Sequence, residues 1–496
     1  MPTDTQATIS LAAGFSREYL LHHRVCPLGW TDDASLLVAT TSSVVRDALS
    51  ELAIAYRSAT VRTEEVADDV IDRMIERLCA AADRAIELAR PAVEDDDGTT
   101  ADVREIANQP PVVRYVNLLV RDAFDAAASD IHLEATREGL AVRFRLDGLL
   151  SPAAPPTGLP MQAVTSRIKL LAELDISERR RPQDGRLRVR LESRDLDVRV
   201  STVPTMHGES VVLRLLDSGG RPVSLDSLGM PPQMLAQVLQ VISRPHGLVL
   251  VTGPTGSGKT TTLHAALLHR NRGSEKVLTV EDPVEYELPG ITQLPVHREA
   301  GVTFGTALRA LLRQDPDVIM IGEMRDAETA EIAVQAAMTG HLVLSTLHTN
   351  DAVGAIGRLR DLAVPAFLIA ATLESVVAQR LVRRICDACK TSYVPNPAEL
   401  ERVGANTVLH RGLGCSSCRG TGFRGRVGLF EQVLVDDELK AAILTAAPDS
   451  ELRRIAIAGG MIPMMMDGWD KVRLGQTTIE EVLRSYDSEF TTPGET

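Results

Sequence analysis

The eight residues GPTGSGKT at 253–260 constrain this chain more than any other stretch of it. They fit the pattern G-x-x-x-x-G-K-[ST]. In that pattern glycines let backbone N–H groups turn inward around phosphate oxygens, a lysine brings charge to the β and γ phosphates, and a hydroxyl can ligate Mg2+. The flanks agree: the apolar run GLVLV ends just before the loop, and TTTLHAALLHR follows it at helical spacing. The expected unit is therefore strand, loop and helix, with the helix N-terminus facing the anion. A chance glycine-rich turn would not carry both flanks. The pattern assigns nucleotide contact to Gly253, Pro254, Thr255, Gly256, Ser257, Gly258, Lys259 and Thr260, with Lys259 on the phosphates and Thr260 on Mg2+, and Thr261, next on the helix, is added to the set.

A loop of this kind needs a parallel sheet behind it and acids beside it. From about residue 223 to 373 the runs GLVLVTG, KVLTVED, DVIMIGE and HLVLSTLH alternate with helical segments, which predicts an α/β fold with a parallel sheet covered by helices. Two runs end in acids. KVLTVEDPVEY sets Glu281, Asp282 and Glu285 past one strand end, and DPDVIMIGEMRD sets Glu323, Arg325 and Asp326 past another. Ligands of open parallel sheets sit outside the carboxyl ends of the strands, so both clusters can converge on Lys259. In the second run Gly322 occupies the place where an Asp is usual, leaving Glu323 to polarise water or to hold Mg2+ through water. The plain alternative for these acids is a solvated strand-end charge. His341 opens the run TGHLVLSTLHTNDA and His348 closes it. Each is either a structural hydrogen-bonder or a site residue, and His348, at a carboxyl end, is placed to sense the γ-phosphate.

Length and charge bound the rest. A chain of 496 residues is long for one core and implies about three or four domains. Its formal net charge of −14 and its 3% aromatic content argue against a general nucleic-acid binder. No apolar run approaches the ~20 residues of a membrane helix, and the N-terminus lacks a signal-peptide pattern, so a cytoplasmic protein with at most peripheral membrane contact is expected. The segment from Glu64 to Leu88 reads as an amphipathic helix with Val66, Val70, Met74 and Leu78 on its apolar stripe. The acidic stretch PAVEDDDGTTAD reads as a linker. From Pro110 a helix, then alternating strands, a helix around VTSRIKLLAEL and further strands describe an α+β domain, with turns at Asp147-Gly148 and at Pro182 to Gly185. Gly219, Gly220 and Pro222 mark a second linker.

Six cysteines are present. Cys26 and Cys79 stand alone and read as small buried apolar side chains. CDAC at 386–389 and CSSC at 415–418 form two Cys-x-x-Cys knuckles. Paired knuckles suit tetrahedral Zn2+, and four protein ligands leave no open position, so Cys386, Cys389, Cys415 and Cys418 read as a structural zinc site. An iron–sulfur cluster or free thiols are the alternatives. The tail from Asp436 reads as helical, with a capping box from Thr478 to Glu481 and MIPMMM at 461–466 as packing.

GPTGSGKTTTL, TVEDPVEY, LRQDPDVIMIGEMRD and TGHLVLSTLHTNDA, in that order, resemble the Walker A, Asp, Walker B and His boxes of the secretion ATPase superfamily. SDIHLEA, RFRLDG, RRRPQDGR and STVPTMHGESVVLRLL resemble its second N-terminal domain, and the likeness runs from about residue 110 to 484. Gly322 in the Walker B box is itself a trait of that family. The resemblance implies a RecA-like P-loop NTPase core preceded by an α+β (PAS-like) domain and a small N-terminal domain, with a tetracysteine zinc module and a helical C-terminal tail. The corresponding boundaries are a docking domain at 1–90, a linker at 91–105, the α+β domain at 106–218, the ATPase domain at 223–380, the zinc module at 381–430 and the helical region at 431–496.

It also implies Glu285 and Glu323 as catalytic carboxylates and His341 and His348 as pocket residues. Arg186, Arg199 and Arg214 would close over the phosphates of a nucleotide lying between the two domains, and Arg309 and Arg313 would make subunit contacts. The implied protein is a cytoplasmic homo-hexamer that hydrolyses ATP with Mg2+. It would dock through its N-terminal domain (GFSREYLLHHRVCPLGW) on an inner-membrane recruiter and drive a membrane platform protein. Type II secretion is the favoured system because the tetracysteine module is absent from pilus-retraction and type IV secretion ATPases and the N-terminal region is short. The pilus-extension ATPase is the close alternative. A nucleic-acid translocase and a non-catalytic nucleotide-binding scaffold are the alternatives of other classes.

Overall fold

The structure, a computed structural model, describes residues 17–31, 35–41, 48–49, 52–53, 60–68, 70–76, 78, 106–156, 158–191, 194–217, 223–404 and 407–487. Cys79, the acidic linker and the Gly219–Pro222 linker lie outside the described residues. The chain divides into two compact units, Met1–Asp217 and Ser218–Thr496.

Among the described residues the first unit holds two sheets. Strands β1 (Val25–Trp30), β2 (Leu36–Thr40) and β3 (Val61–Glu65) form a small sheet in the order β1-β2-β3, with β3 parallel to β2. Its core contains Leu20, Val25, Leu36, Val38, Leu52, Ile71 and Ile75. The expected helix from Glu64 therefore begins later. Glu64 and Glu65 pair with β2, and helical backbone starts at Asp68. Pairing overrides the helix propensity of glutamate. The deepest side chains are Ile71 and Ile75, while Val66, Val70, Met74 and Leu78 are half-buried.

The helix Pro110–Asp125 opens on two prolines, whose missing N–H groups cost nothing in a first turn. It buries Val112, Val116, Leu119, Val120 and Ala123. With the helix Met161–Leu171 it covers one face of an antiparallel sheet of β4 (Asp130–Thr136), β5 (Gly139–Leu146), β6 (Leu149–Ala153), β7 (Gln183–Leu191), β8 (Arg194–Thr205) and β9 (Gly208–Asp217), ordered β6-β5-β4-β9-β8-β7. The turn expected at Pro182 to Gly185 is instead the start of β7. Gly185 is there for close packing: a Cβ on it would lie 2.7 Å from the Ala172 carbonyl.

The second unit is built on a seven-stranded sheet. It comprises β10 (Gly247–Thr252), β11 (Val277–Glu281), β12 (Thr292–Pro295), β13 (Val318–Ile321), β14 (Leu342–Leu347), β15 (Leu373–Ile385) and β18 (Phe423–Leu434), ordered β12-β11-β13-β14-β10-β15-β18. All neighbours are parallel except β15 and β18. The helices Pro232–Ile242 and Lys259–Arg270 pack on one face. The helices Phe304–Leu311, Ala327–Met338, Gly354–Asp361 and Ala366–Thr372 and the C-terminal helices pack on the other. With both faces covered, β10 and β14 are buried at every residue, which is why they read as unbroken apolar runs.

Strands β15 and β18 extend beyond the rest of the sheet as a paired ribbon. At its end, Cys386 N–H donates to the Gly422 carbonyl (3.0 Å), and the two-stranded sheet of β16 (Lys390–Tyr393) and β17 (Leu409–Gly412) lies in the excursion between the two long strands. The cysteine region is thus continuous with the core sheet, and β15 and β18 run through the boundaries expected at 380/381 and 430/431. Among the described residues four helices follow, the last of them Ile479–Asp487. Only half of the expected capping box forms. Thr478 Oγ1 accepts from Glu481 N–H (3.4 Å), but the Glu481 carboxylate pairs with Arg383 and Arg484. In MIPMMM, Met461 and Met464 are buried, whereas Ile462 and Met466 are exposed.

Candidate active site

The carboxyl ends of β10, β13 and β14 bring the chemistry together. Thr252, the last residue of β10, donates its hydroxyl to the Leu347 carbonyl at the end of β14 (3.1 Å) and accepts from Thr349 N–H (2.9 Å). This ties the start of the 253–260 loop to the segment that carries His348. The loop then enters the helix Lys259–Arg270 with Gly258 in the left-handed region. Lys259 is buried, and its ammonium donates to the loop's own carbonyls of Gly253 (2.8 Å) and Pro254 (3.1 Å). Burial pushes that ammonium below the usual lysine range, an effect the Glu323 charge partly offsets.

Glu323 follows β13 and is largely buried. One carboxylate oxygen meets Arg325 at 2.5 Å, and the other lies 3.6 Å from His348 Nε2. Burial and the Lys259 charge lower the pKa of His348, with Glu323 acting in the opposite sense, so the imidazole is neutral at pH 7. Glycine at 322 also has a packing reason. A Cβ there would press on the Val280 carbonyl at 3.3 Å, while Gly322 N–H donates to that carbonyl and the Gly322 carbonyl accepts from Thr346 Oγ1 (2.6 Å). Lys259, Glu323 and His348 thus form one electrostatic cluster, with Arg325 as a fourth member. Thr260 and Thr261 are half-buried at the helix start.

The other candidates in this unit are placed differently. Glu281 is buried and fully engaged: its carboxylate meets His264 Nε2 (3.1 Å) and accepts from Thr279 (2.7 Å) and Gln293 (2.9 Å). Burial alone would raise its pKa, but these partners hold it below the usual carboxylate range. Asp282 pairs with Arg298 (3.1 Å). Glu285 is exposed in the loop after β11, without a hydrogen bond or ion pair to the 253–260 loop among the described residues. His341 is not brought to the site. It stands at the amino end of β14, where its Nδ1 lies 2.9 Å from the Ala336 carbonyl. That end is separated from His348 by the length of a six-residue strand, about 20 Å. Arg309 pairs with Glu328 on the neighbouring helix (2.6 Å), and Arg313 is exposed.

In the first unit, Arg186, Arg199 and Arg214 stand directly opposite one another on β7, β8 and β9. They line a cavity of about 410 Å3 together with Asp184 and Ser201. The same row continues through Asp130 to Arg145 on β4 and β5. Asp130, itself buried, accepts from Arg214 Nε (2.9 Å) and from Ser129 Oγ (2.7 Å), with Arg145 Nε at 3.7 Å. The three arginines are among the residues expected from the sequence; Asp130 is not. Its signal was SDIHLEA, where an acid opens an otherwise half-buried strand.

The four paired cysteines converge. Cys386 and Cys415 sulfurs are 3.8 Å apart, Cys389 and Cys418 3.8 Å, and Cys415 and Cys418 3.7 Å. A tetrahedral zinc with Zn–S bonds of about 2.3 Å requires S···S edges of about 3.8 Å, so the donor set fits the ion. Burial pushes the Cys418 thiol up, but N–H groups of Cys415 (3.1 Å) and Gly422 (3.2 Å) aimed at its sulfur prevail and bring it down to about 6. That favours a thiolate at Cys418, whereas burial and the neighbouring thiols push Cys389 up to about 12. Among the described residues this is the one cluster of such side chains close enough to hold an ion.

Residues 105–484 match the family described as "Type II/IV secretion system protein". The chain is 46% identical over 447 residues to "Type II secretion system protein HxcR" of Pseudomonas aeruginosa, covering 88% of this chain and 92% of the relative. It is 42% identical over 480 residues to "Type II secretion system protein E" of Pectobacterium carotovorum, covering 94% and 95%. Among solved structures it resembles the crystal structure of the pilus retraction motor PilT with bound ADP, at a TM-score of 0.53 and 26% identity over 76% of this chain and 96% of that one.

Proposed function

This chain belongs to the type II/IV secretion system protein family and is an ATP-hydrolysing enzyme with a RecA-like core, and from that premise we propose that it powers protein export by a type II secretion system. The observation that carries the system is the end-to-end match to type II secretion proteins, at 92% and 95% of their own lengths. In this reading the enzyme works as a cytoplasmic homo-hexamer at the inner membrane. Residues 1–90 dock on a recruiter, and a membrane platform receives the force for pseudopilus assembly.

At the site, the backbone amides of the 253–260 loop and Lys259 bind the phosphates. A phosphate oxygen offers Lys259 a charged partner in place of the neutral carbonyls it now meets, which favours binding. The Thr260 hydroxyl and, through water, the Glu323 carboxylate are the oxygens suited to Mg2+, which is usually held by few protein ligands and completed by phosphate and water. When bound, Mg2+ supplies charge neutralisation at the β and γ phosphates. Glu323 then accepts a proton from the attacking water, since it is the buried carboxylate of the cluster. His348, neutral at pH 7, hydrogen-bonds the γ-phosphate. Arg186, Arg199 and Arg214 provide guanidinium charge to the transferring group. Glu285 polarises water, and His341 helps to order the pocket through the strand it opens. The four cysteines hold Zn2+ structurally.

The test is replacement of the chromosomal gene by Glu323→Gln in the native host. The expected result is that exported enzymes accumulate inside the cell while surface pili are kept. Loss of pili with intact export would assign the chain to pilus extension, and loss of neither would overturn the reading.

A further inference from the structure

One buried polar residue near the loop has no place in the mechanism above. Gln379 lies on β15, just past Ala378, which is paired with Thr252 of β10. It is 2% exposed. Its Nε2 donates to the Ser257 carbonyl (2.5 Å), and its Oε1 accepts from Thr262 Oγ1 (2.6 Å). A carbonyl can only accept, so the Ser257 contact fixes which end of the amide faces the loop. A Cβ on Gly253 would lie 2.3 Å from the Gln379 carbonyl. The loop is therefore seated on residue 379 at both ends.

We propose that Gln379 is the positioning residue of the phosphate-binding loop. Across a trans peptide the C=O and the next N–H point in opposite directions. By holding the Ser257 carbonyl against β15, Gln379 turns the Gly258 N–H the other way, toward the side on which the loop pattern places phosphate. Its second bond fixes the first turn of the helix that presents Lys259 and Thr260. The loop is thereby shaped before nucleotide arrives, and binding is spared the cost of ordering it. The strand that does this runs on to Ile385, next to Cys386, so the loop and the cysteine cluster share one backbone element. The inference rests on the assignment of residues 253–260 as the phosphate cradle.

The test is equilibrium binding of a fluorescent ADP analogue to the full-length, zinc-loaded chain, with ATPase kinetics beside it. Gln379→Glu keeps the acceptor for Thr262 but sets an oxygen against the Ser257 carbonyl, and Gln379→Leu removes both bonds. Each should weaken ADP binding about 10- to 100-fold, the scale of a misaimed hydrogen bond to a charged group. KM should rise in step, with kcat changed less than about 3-fold, the pattern of lost uniform binding. Thr262→Val, which leaves the Ser257 contact in place, should cost less than about 3-fold in affinity. A purely structural role would lower the melting temperature in all three variants alike and leave ADP affinity untouched, and that result overturns the proposal. If Gln379→Leu does not fold, Gln379→Met, of similar length and volume, carries the same expectation. Lys259→Ala separates the two layers. If it binds ADP as the wild type does, the cradle assignment fails. If it loses binding while both Gln379 variants keep it, the positioning role alone fails.

Discussion

At the residue scale, chemistry concentrates on side chains whose burial leaves them few alternatives. Glu323, held between Arg325 and His348, is one. Glu323→Gln should keep ADP affinity within about 3-fold while lowering kcat at least 100-fold, the usual scale for losing a positioned base; nucleotide titration and steady-state rates check both. Glu281 is another. Its folded pKa lies below its ordinary value of 4.5, so its stabilisation is complete above that value and is lost as pH falls through the lower folded value. Glu281→Gln should therefore cost about 1–3 kcal/mol at pH 7, with the difference shrinking below pH 4.5, as denaturant melts at the two pH values would report. Lys259, Thr260, Glu323 and His348 were legible because each follows a strand end that its own apolar run announces. Glu285 and His341 were less so. One sits in a loop whose course no periodicity fixes, and the other lies at the far end of the strand that His348 terminates. Gln379 was missed because a polar residue inside VVAQRLV gives no local sign of its partners, which lie far away in sequence at Ser257 and Thr262.

At the element scale, the parallel strands were legible and the ribbon was not. GLVLVTG, KVLTVED, DVIMIGE and HLVLSTLH are buried on both faces, so their composition alone declares them. Strand β15 mixes arginines into its apolar run, as in LVRRI; Arg384 pairs locally with Asp387, but Arg383 has partners that only the fold supplies. It pairs with Glu481 on the last helix and stacks over Phe423. The short turn read at Pro182 to Gly185 failed for a related reason: glycine there answers the approach of Ala172, a tertiary fact. The cysteine cluster closes the end of the β15–β18 ribbon. Stripping Zn2+ with a strong chelator, or Cys418→Ser, should lower the melting temperature by several degrees, given the size of structural zinc contributions. Calorimetry with and without added Zn2+ measures this. An unchanged melt would refute a structural ion.

At the scale of the whole molecule, the chain separates catalytic loop and arginine row into different compact units. The 253–260 loop belongs to Ser218–Thr496, whereas Arg186, Arg199 and Arg214 belong to Met1–Asp217. The second unit has its own two-sided core, so residues 218–496 alone should fold and bind ADP. If the arginines act as proposed, residues 218–496 should hydrolyse ATP about 1,000-fold more slowly than the full chain, the low end of the range for guanidinium stabilisation of phosphoryl transfer. The proposed site of ATP hydrolysis is the loop ending in Lys259 and Thr260. Phosphate release from MgATP by the full-length, zinc-loaded protein, measured beside Lys259→Ala at matched folding, tests it most directly. Steady turnover by the wild type and a rate at background for the variant are expected; equal rates from both proteins would rule this loop out as the site of hydrolysis.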